Sequence, residues 1–103
     1  MVLKGNPTVV AEGERLSVNP TGNPALATGG TGDVLSGAIA ALLAAGLSPF
    51  DAARLGVFLH GLAGDLLAEE KEVGLLAREV AEALPRARRL LQEGRVPPAF
   101  FPR

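Results

Sequence analysis

Hydrophobic positions follow two regimes along this chain. Up to about residue 28 they come in short runs broken by turn residues. Val2 and Leu3 predict a short buried strand. Residues 8–11 and 15–18, on either side of Glu12-Gly13-Glu14, predict a hairpin, because short β-branched runs around a glycine turn favour strand pairing. Residues 19–28, dense in Asn, Pro, Thr and Gly, predict a loop. From residue 33 the spacing becomes helical. A first helix is predicted over 33–45, with Gly46 placed to close it in a left-handed conformation. Ser48 and Pro49 supply an N-cap and a proline at the first helical position, and Asp51 favours the helix dipole. The second helix runs from Pro49 to about Glu70, with Ala52, Leu55, Leu59, Leu62 and Leu66 as one buried stripe. A third, from about Val73 to Gly94, turns Leu76, Val80, Leu84, Leu90 and Leu91 inward, and Pro85 is expected to kink or split it. Arg78, Arg86, Arg88 and Arg89 fall mostly on its wet side, and residues 96–103 read as an irregular terminus.

The order is therefore strand, hairpin, glycine loop and three helices, an α/β pattern. At 103 residues the chain is one small domain or part of a larger one. Its 48% hydrophobic content is high for so few residues. A strand-like run starts at the second residue, with nothing before it to cap or pair it. Both features predict apolar surface that a missing segment or another copy covers. The expectation is the C-terminal part of a larger domain, or an obligate oligomer. No apolar run approaches the roughly 20 residues that span a bilayer. Without a signal-peptide core in residues 4–15 and without cysteine, the reading favours the cytoplasm. A net charge of −1 leaves no nucleic-acid footprint, and four Phe without Trp or Tyr offer no base-stacking platform.

The candidate chemistry lies in Ala27-Thr-Gly-Gly-Thr-Gly-Asp-Val-Leu-Ser-Gly37, where loop feeds into helix. The first N–H groups of a helix have no internal partner, and the dipole adds partial positive charge, so anions bind there. Glycines before the helix keep side chains out of an incoming phosphate's way. Gly29, Gly30, Thr31 and Gly32 fit such a cradle. A P-loop is excluded, because Asp33 stands where its lysine belongs. A dinucleotide fingerprint is excluded too, because Leu35 occupies the third glycine's place. A carboxylate beside an anion cradle makes sense as a general base that takes a proton from an attacking hydroxyl while the amides stabilise the group in transfer. Taken alone, Asp33 is as readily a helix cap.

The segment TGNPALATGGTGDVLSGAIAALLAAG followed by AARLGVFLHGLAGD, with LKGNPTVVA upstream, resembles the C-terminal part of the ADP/ATP-dependent NAD(P)H-hydrate dehydratase family of the ribokinase-like superfamily. The likeness covers about residues 2–65. It implies a ribokinase-like three-layer sandwich of which this chain is the C-terminal part. It implies repair of hydrated NADH or NADPH: ADP or ATP, with Mg2+, phosphorylates the ring hydroxyl, phosphate leaves, and the double bond returns. Asp33 matches the family's base and substrate-contacting aspartate. Gly30, Thr31 and Gly32 match the anion hole, with Gly32 also at a nucleotide-binding position. Lys4, Gly5, Asn6, Pro7 and Thr8 match the segment that holds the nucleotide, and Asn23 falls where the substrate site is lined. The family's domain is more than twice as long, so the N-terminal portion, or a second copy, is the implied partner.

The other polar residues read as structural. His60 is expected to pack within its helix, with Gly61 and Gly64 allowing close approach. Asp65, Glu69, Glu70 and Glu72 read as a solvated helix end, not a metal site; magnesium would arrive on nucleotide phosphates. Two other functions fit the same loop: a ribokinase-like thiazole or vitamin kinase, and a non-catalytic module that binds nucleotide or oligomerises.

Overall fold

The structure is a computed structural model, and it describes residues 1–3, 8–23, 30–70 and 77–94. β1 (Val2–Leu3), β2 (Val9–Glu12) and β3 (Arg15–Val18) form an antiparallel sheet in the order β1-β2-β3. Helices α1 (Thr31–Ala44), α2 (Pro49–Glu70) and α3 (Ala77–Gln92) follow. The hairpin lies one residue later on its first strand than the pattern predicts. Glu12 pairs with Arg15, leaving a two-residue turn in which Gly13 takes φ +58° and Glu14 stays at negative φ. That sign pattern suits a type II′ turn, whose twist matches paired strands.

The sheet is covered on one face only. Val2, Val10 and Ser17 share a row, and Val10 is buried against Leu35, Phe50, Ala53 and Val57. On the opposite face Leu3, Leu16 and Val18 are exposed at 54%, 65% and 55%. β1 is thus not the buried strand expected: side chains alternate across a strand, and no described element covers its outer face. The hairpin tip is tied to α2 where the Arg15 guanidinium lies over the Phe50 ring, 4.4 Å from its centroid.

α1 starts two residues earlier than predicted, with Gly30 as its N-cap at φ +89°. Its end follows the expectation. Gly46 adopts φ +102°, its N–H bonds to Leu43 O at 3.0 Å, and the Leu47 N–H reaches Leu42 O at 3.2 Å. These paired reversals satisfy carbonyls the helix leaves open. The hydroxyl of Ser48 accepts the Asp51 N–H at 3.3 Å, opening α2 as a capping serine should.

α2 carries more than the single stripe predicted. Ala52, Ala53, Val57, Leu59, His60, Leu62, Ala63, Leu66 and Leu67 are all buried. The helix is enclosed because α1, α3 and the sheet side all pack on it, so it forms part of both apolar clusters. On α3 the buried residues are Val80, Ala83 and Ala87, with Leu84, Leu90 and Leu91 at the flanks. Alanines set the contact line because they let the two helices approach. Pro85 neither splits nor ends α3, which runs unbroken through it. Proline costs one ladder bond, and here it falls on the exposed side of the helix. The predicted start near Val73 and the inward Leu76 lie outside the described residues.

Two glycines separate space from strain. A Cβ at Gly61 would stand 2.3 Å from Thr21 Oγ1 and 2.7 Å from the Thr21 carbonyl carbon, whereas one at Gly37 meets nothing within 4 Å. Gly61→Ala should therefore lower stability by about 1–3 kcal/mol through forced displacement. Gly37→Ala should raise it by about 0.5–1 kcal/mol through helix propensity. Thermal or urea melts of the two variants check this, and equal effects would contradict it.

Candidate functional site

The sequence places the expected anion cradle at residues 30–32, where α1 begins. Gly30 can hold its left-handed conformation because it lacks a side chain. A Cβ there would also stand 3.1 Å from that of Ala77. The first bond of α1 runs from the Val34 N–H to Gly30 O at 3.3 Å. The N–H groups of Thr31, Gly32 and Asp33 precede it, so they are the donors a helix start leaves open. Asp33 is the third residue of α1, not its cap, and it is exposed. It makes no hydrogen bond or ion pair among the described residues. The capping role is thus taken by backbone geometry at Gly30, which frees the carboxylate from that duty.

These residues suit an anion by three open amides, a dipole and the missing side chains of Gly30 and Gly32. Among the described residues, no three acidic or histidine side chains gather as a metal site.

The loop before the cradle is fastened to α2. Asn19 is buried and donates from Nδ2 to Thr21 O at 3.0 Å and to Val57 O at 3.3 Å. The Thr21 hydroxyl donates to Phe58 O at 2.8 Å. Next, both carboxylate oxygens of Asp65 are used: Oδ2 accepts the Gly22 N–H at 2.9 Å and Oδ1 accepts Asn23 Nδ2 at 2.9 Å. The expectation of a solvated Asp65 is corrected here. It is half-buried, because the loop lies over it. The sequence reading missed Asn19, Thr21 and Asp65. The available signal was Gly61: a glycine one turn before an aspartate, with a Thr-Gly-Asn segment elsewhere needing a surface to lie on.

Of the residues the sequence singles out, the structure describes Gly30, Gly32, Asp33, Asn23, Thr8 and the backbone of Thr31. Thr8 leads into β2, and its carbonyl accepts the Asn19 N–H at 2.9 Å, joining the hairpin to the loop. Lys4, Gly5, Asn6 and Pro7 lie outside the described residues, as does Gly29. So do Glu72 and the side chains of Glu69 and Glu70. His60 is buried within α2, as expected of a packing residue.

A separate cavity of about 460 Å³ is lined by Asn19, Leu47, Arg54, Leu55, Phe58 and Leu91. It sits at the Leu47 end of α1. A helix of 14 residues is about 21 Å long, so this cavity is remote from the cradle. Arg54 at its rim is already paired with Asp51 at 2.9 Å.

Comparison with known proteins was made on sequence and on fold. A protein family described as NAD(P)H-hydrate dehydratase matches residues 1–86. The chain is 52% identical over 95 residues to the bifunctional NAD(P)H-hydrate repair enzyme Nnr of Thermofilum pendens, covering 90% of this chain and 18% of that protein. It is 49% identical over 86 residues to the ADP-dependent (S)-NAD(P)H-hydrate dehydratase of Neisseria meningitidis, covering 81% and 29%. The fold is similar to that of the ADP/ATP-dependent NAD(P)H-hydrate dehydratase of Bacillus subtilis co-crystallised with ATP and Mg2+. That likeness has TM-score 0.79 and 44% identity, and it covers 85% of this chain and 32% of that one. The chain thus spans between about a fifth and a third of the length of these relatives.

If Gly30 and not Asp33 caps α1, Asp33→Ala should cost less than about 1 kcal/mol, the scale of a charge near a helix N-terminus. Gly30→Ala should cost more, since left-handed backbone at a non-glycine residue costs roughly 1–2 kcal/mol. Chemical denaturation of both variants compares them; a reversed ranking would move the cap to Asp33.

Proposed function

This chain belongs to the NAD(P)H-hydrate dehydratase family, and from that premise we propose that it carries the phosphoryl-transfer half of a dehydratase site. The substrate is (S)-NAD(P)H hydrate, the phosphoryl donor ADP or ATP, and the compartment the cytoplasm. The observation that carries the reading is the exposed Asp33 carboxylate in the first turn of α1, three residues past a left-handed glycine cap.

The chemistry follows from that arrangement. Asp33 accepts the proton of the ring hydroxyl as its oxygen attacks the terminal phosphorus of the nucleotide. The P–O bond to the leaving nucleotide breaks, and the amides of Thr31, Gly32 and Asp33 hold the charge that gathers on the phosphoryl oxygens. The phosphate ester formed on the ring is a far better leaving group than hydroxide. Its C–O bond then breaks, inorganic phosphate departs, the neighbouring ring carbon gives up a proton to water, and the ring double bond returns. A magnesium ion would arrive on the nucleotide and would offset the charge of its phosphates.

In this reading Lys4, Gly5, Asn6, Pro7 and Thr8 hold the nucleotide with Gly32, and Asn23 lines the substrate side. The rest of the site comes from a portion equivalent to the remaining length of the relatives, or from a second copy of the chain. The free outer face of the sheet supports the need for such a partner.

The test is absorbance at 340 nm with hydrated NADH, Mg2+ and ADP or ATP, using the chain alone and the chain mixed with an N-terminal portion of a relative. We expect a nucleotide-dependent rise only in the mixture. Asp33→Asn should reduce it about 10²–10⁴-fold, the span of general-base catalysis, without loss of nucleotide binding. Equal turnover by Asp33→Asn would remove the base from this mechanism, and release of a stable phosphate ester in place of free phosphate would make the chain a kinase.

A further inference from the structure

Asp65 lies outside the reaction just described, yet its bonds tie it to the loop that precedes the cradle. Asn23 stands seven residues before Gly30, the cap of α1. It is held on α2 by its bond to Asp65 Oδ1, and Gly22 beside it by its bond to Oδ2.

We propose that Asp65 is a positioning residue of this site: its carboxylate fixes the place and orientation of Asn23, the residue assigned above to the substrate side, and thereby governs affinity for the hydrated dinucleotide. This rests on the dehydratase reading given above. A carboxylate suits the task because it accepts on both oxygens, so a backbone N–H and a side-chain amide from consecutive residues are gripped by one group. Gripping Nδ2 also decides which way the Asn23 amide is turned. The upstream anchors act differently. Asn19 and Thr21 bond to carbonyls of Val57 and Phe58, about two turns away from Asp65 along α2, and fix the loop without touching Asn23.

Asp65→Asn is the informative change. The carboxamide keeps the size of the group but presents an NH2 to one of the two donors. Thr21→Val serves as the control, since it removes a loop anchor and leaves the Asp65 contacts alone. Kinetics are measured on the chain in the mixture that turns over, with KM for hydrate and for nucleotide taken separately. Losing a charged hydrogen-bond partner should raise KM for hydrate about tenfold in Asp65→Asn. KM for nucleotide and kcat should change by less than about threefold, and Asp65→Glu should recover part of the loss. Asn23→Ala should show the same split, with the double variant no worse than the worse single, as expected of coupled residues. Thr21→Val should lower thermal stability without that split. The proposal is overturned if both KM values rise together, if neither moves, or if the two variants add. Should no mixture turn over hydrate, the dehydratase reading fails on its own. In that case hydrate is titrated against 15N-labelled chain without phosphoryl donor, and an unmoved Asn23 side-chain amide signal overturns this inference separately.

Discussion

At Gly61 the backbone of Thr21 and Gly22 presses onto α2 so closely that no Cβ fits between them. The rest of the site depends on that contact. It lets an extended loop lie along the helix, with Asn19 at Val57, Thr21 at Phe58 and Gly22 at Asp65. Over residues 19–23 the loop is fixed with its buried polar groups paired: among the described residues no buried side-chain donor or acceptor lacks a partner.

The same economy shapes the helices. α2 is enclosed because it serves three neighbours at once, and its small residues are what permit it. Gly56 admits Ile39 of α1, Gly61 admits the loop, and Ala83 and Ala87 of α3 approach from the third side. Large side chains fill the gaps between these lines of approach, as Leu62 does, fully buried at the centre. Close packing of this kind resists volume change, so a site built on it keeps its geometry.

Much of this was legible beforehand. The helix limits at Gly46 and Ser48 follow from local chemistry, and the structure reproduces them as a left-handed glycine and a capping hydroxyl. A glycine at the start of α1 was legible too, and Gly30 takes the left-handed conformation there. What stayed hidden depends on contacts far apart in sequence. Asp65 reads as one acid among several at a helix end until a loop 42 residues away is seen lying over it. The exposure of Leu3 was equally hidden, since an apolar strand says nothing about which face has a cover. Pro85 does not split α3 for a local reason: it removes a bond on the side of the helix that faces water, where the loss is tolerated.

On the proposed reading, an acid can follow a phosphate cradle because of what it is spared. A helix start usually employs its nearby Asp, Ser or Thr as a cap, bonding the side chain to the open amides. In a cradle that would fill the anion's place and occupy the proposed base. Gly30 caps α1 with conformation alone. Asp33 is exposed and has no partner among the described residues, and it follows Thr31 and Gly32 within one helical turn. The proposed cradle and the proposed base would then be successive residues whose separation is set by covalent geometry and not by packing. The loop before them is held instead by contacts far apart in sequence, at Val57, Phe58 and Asp65.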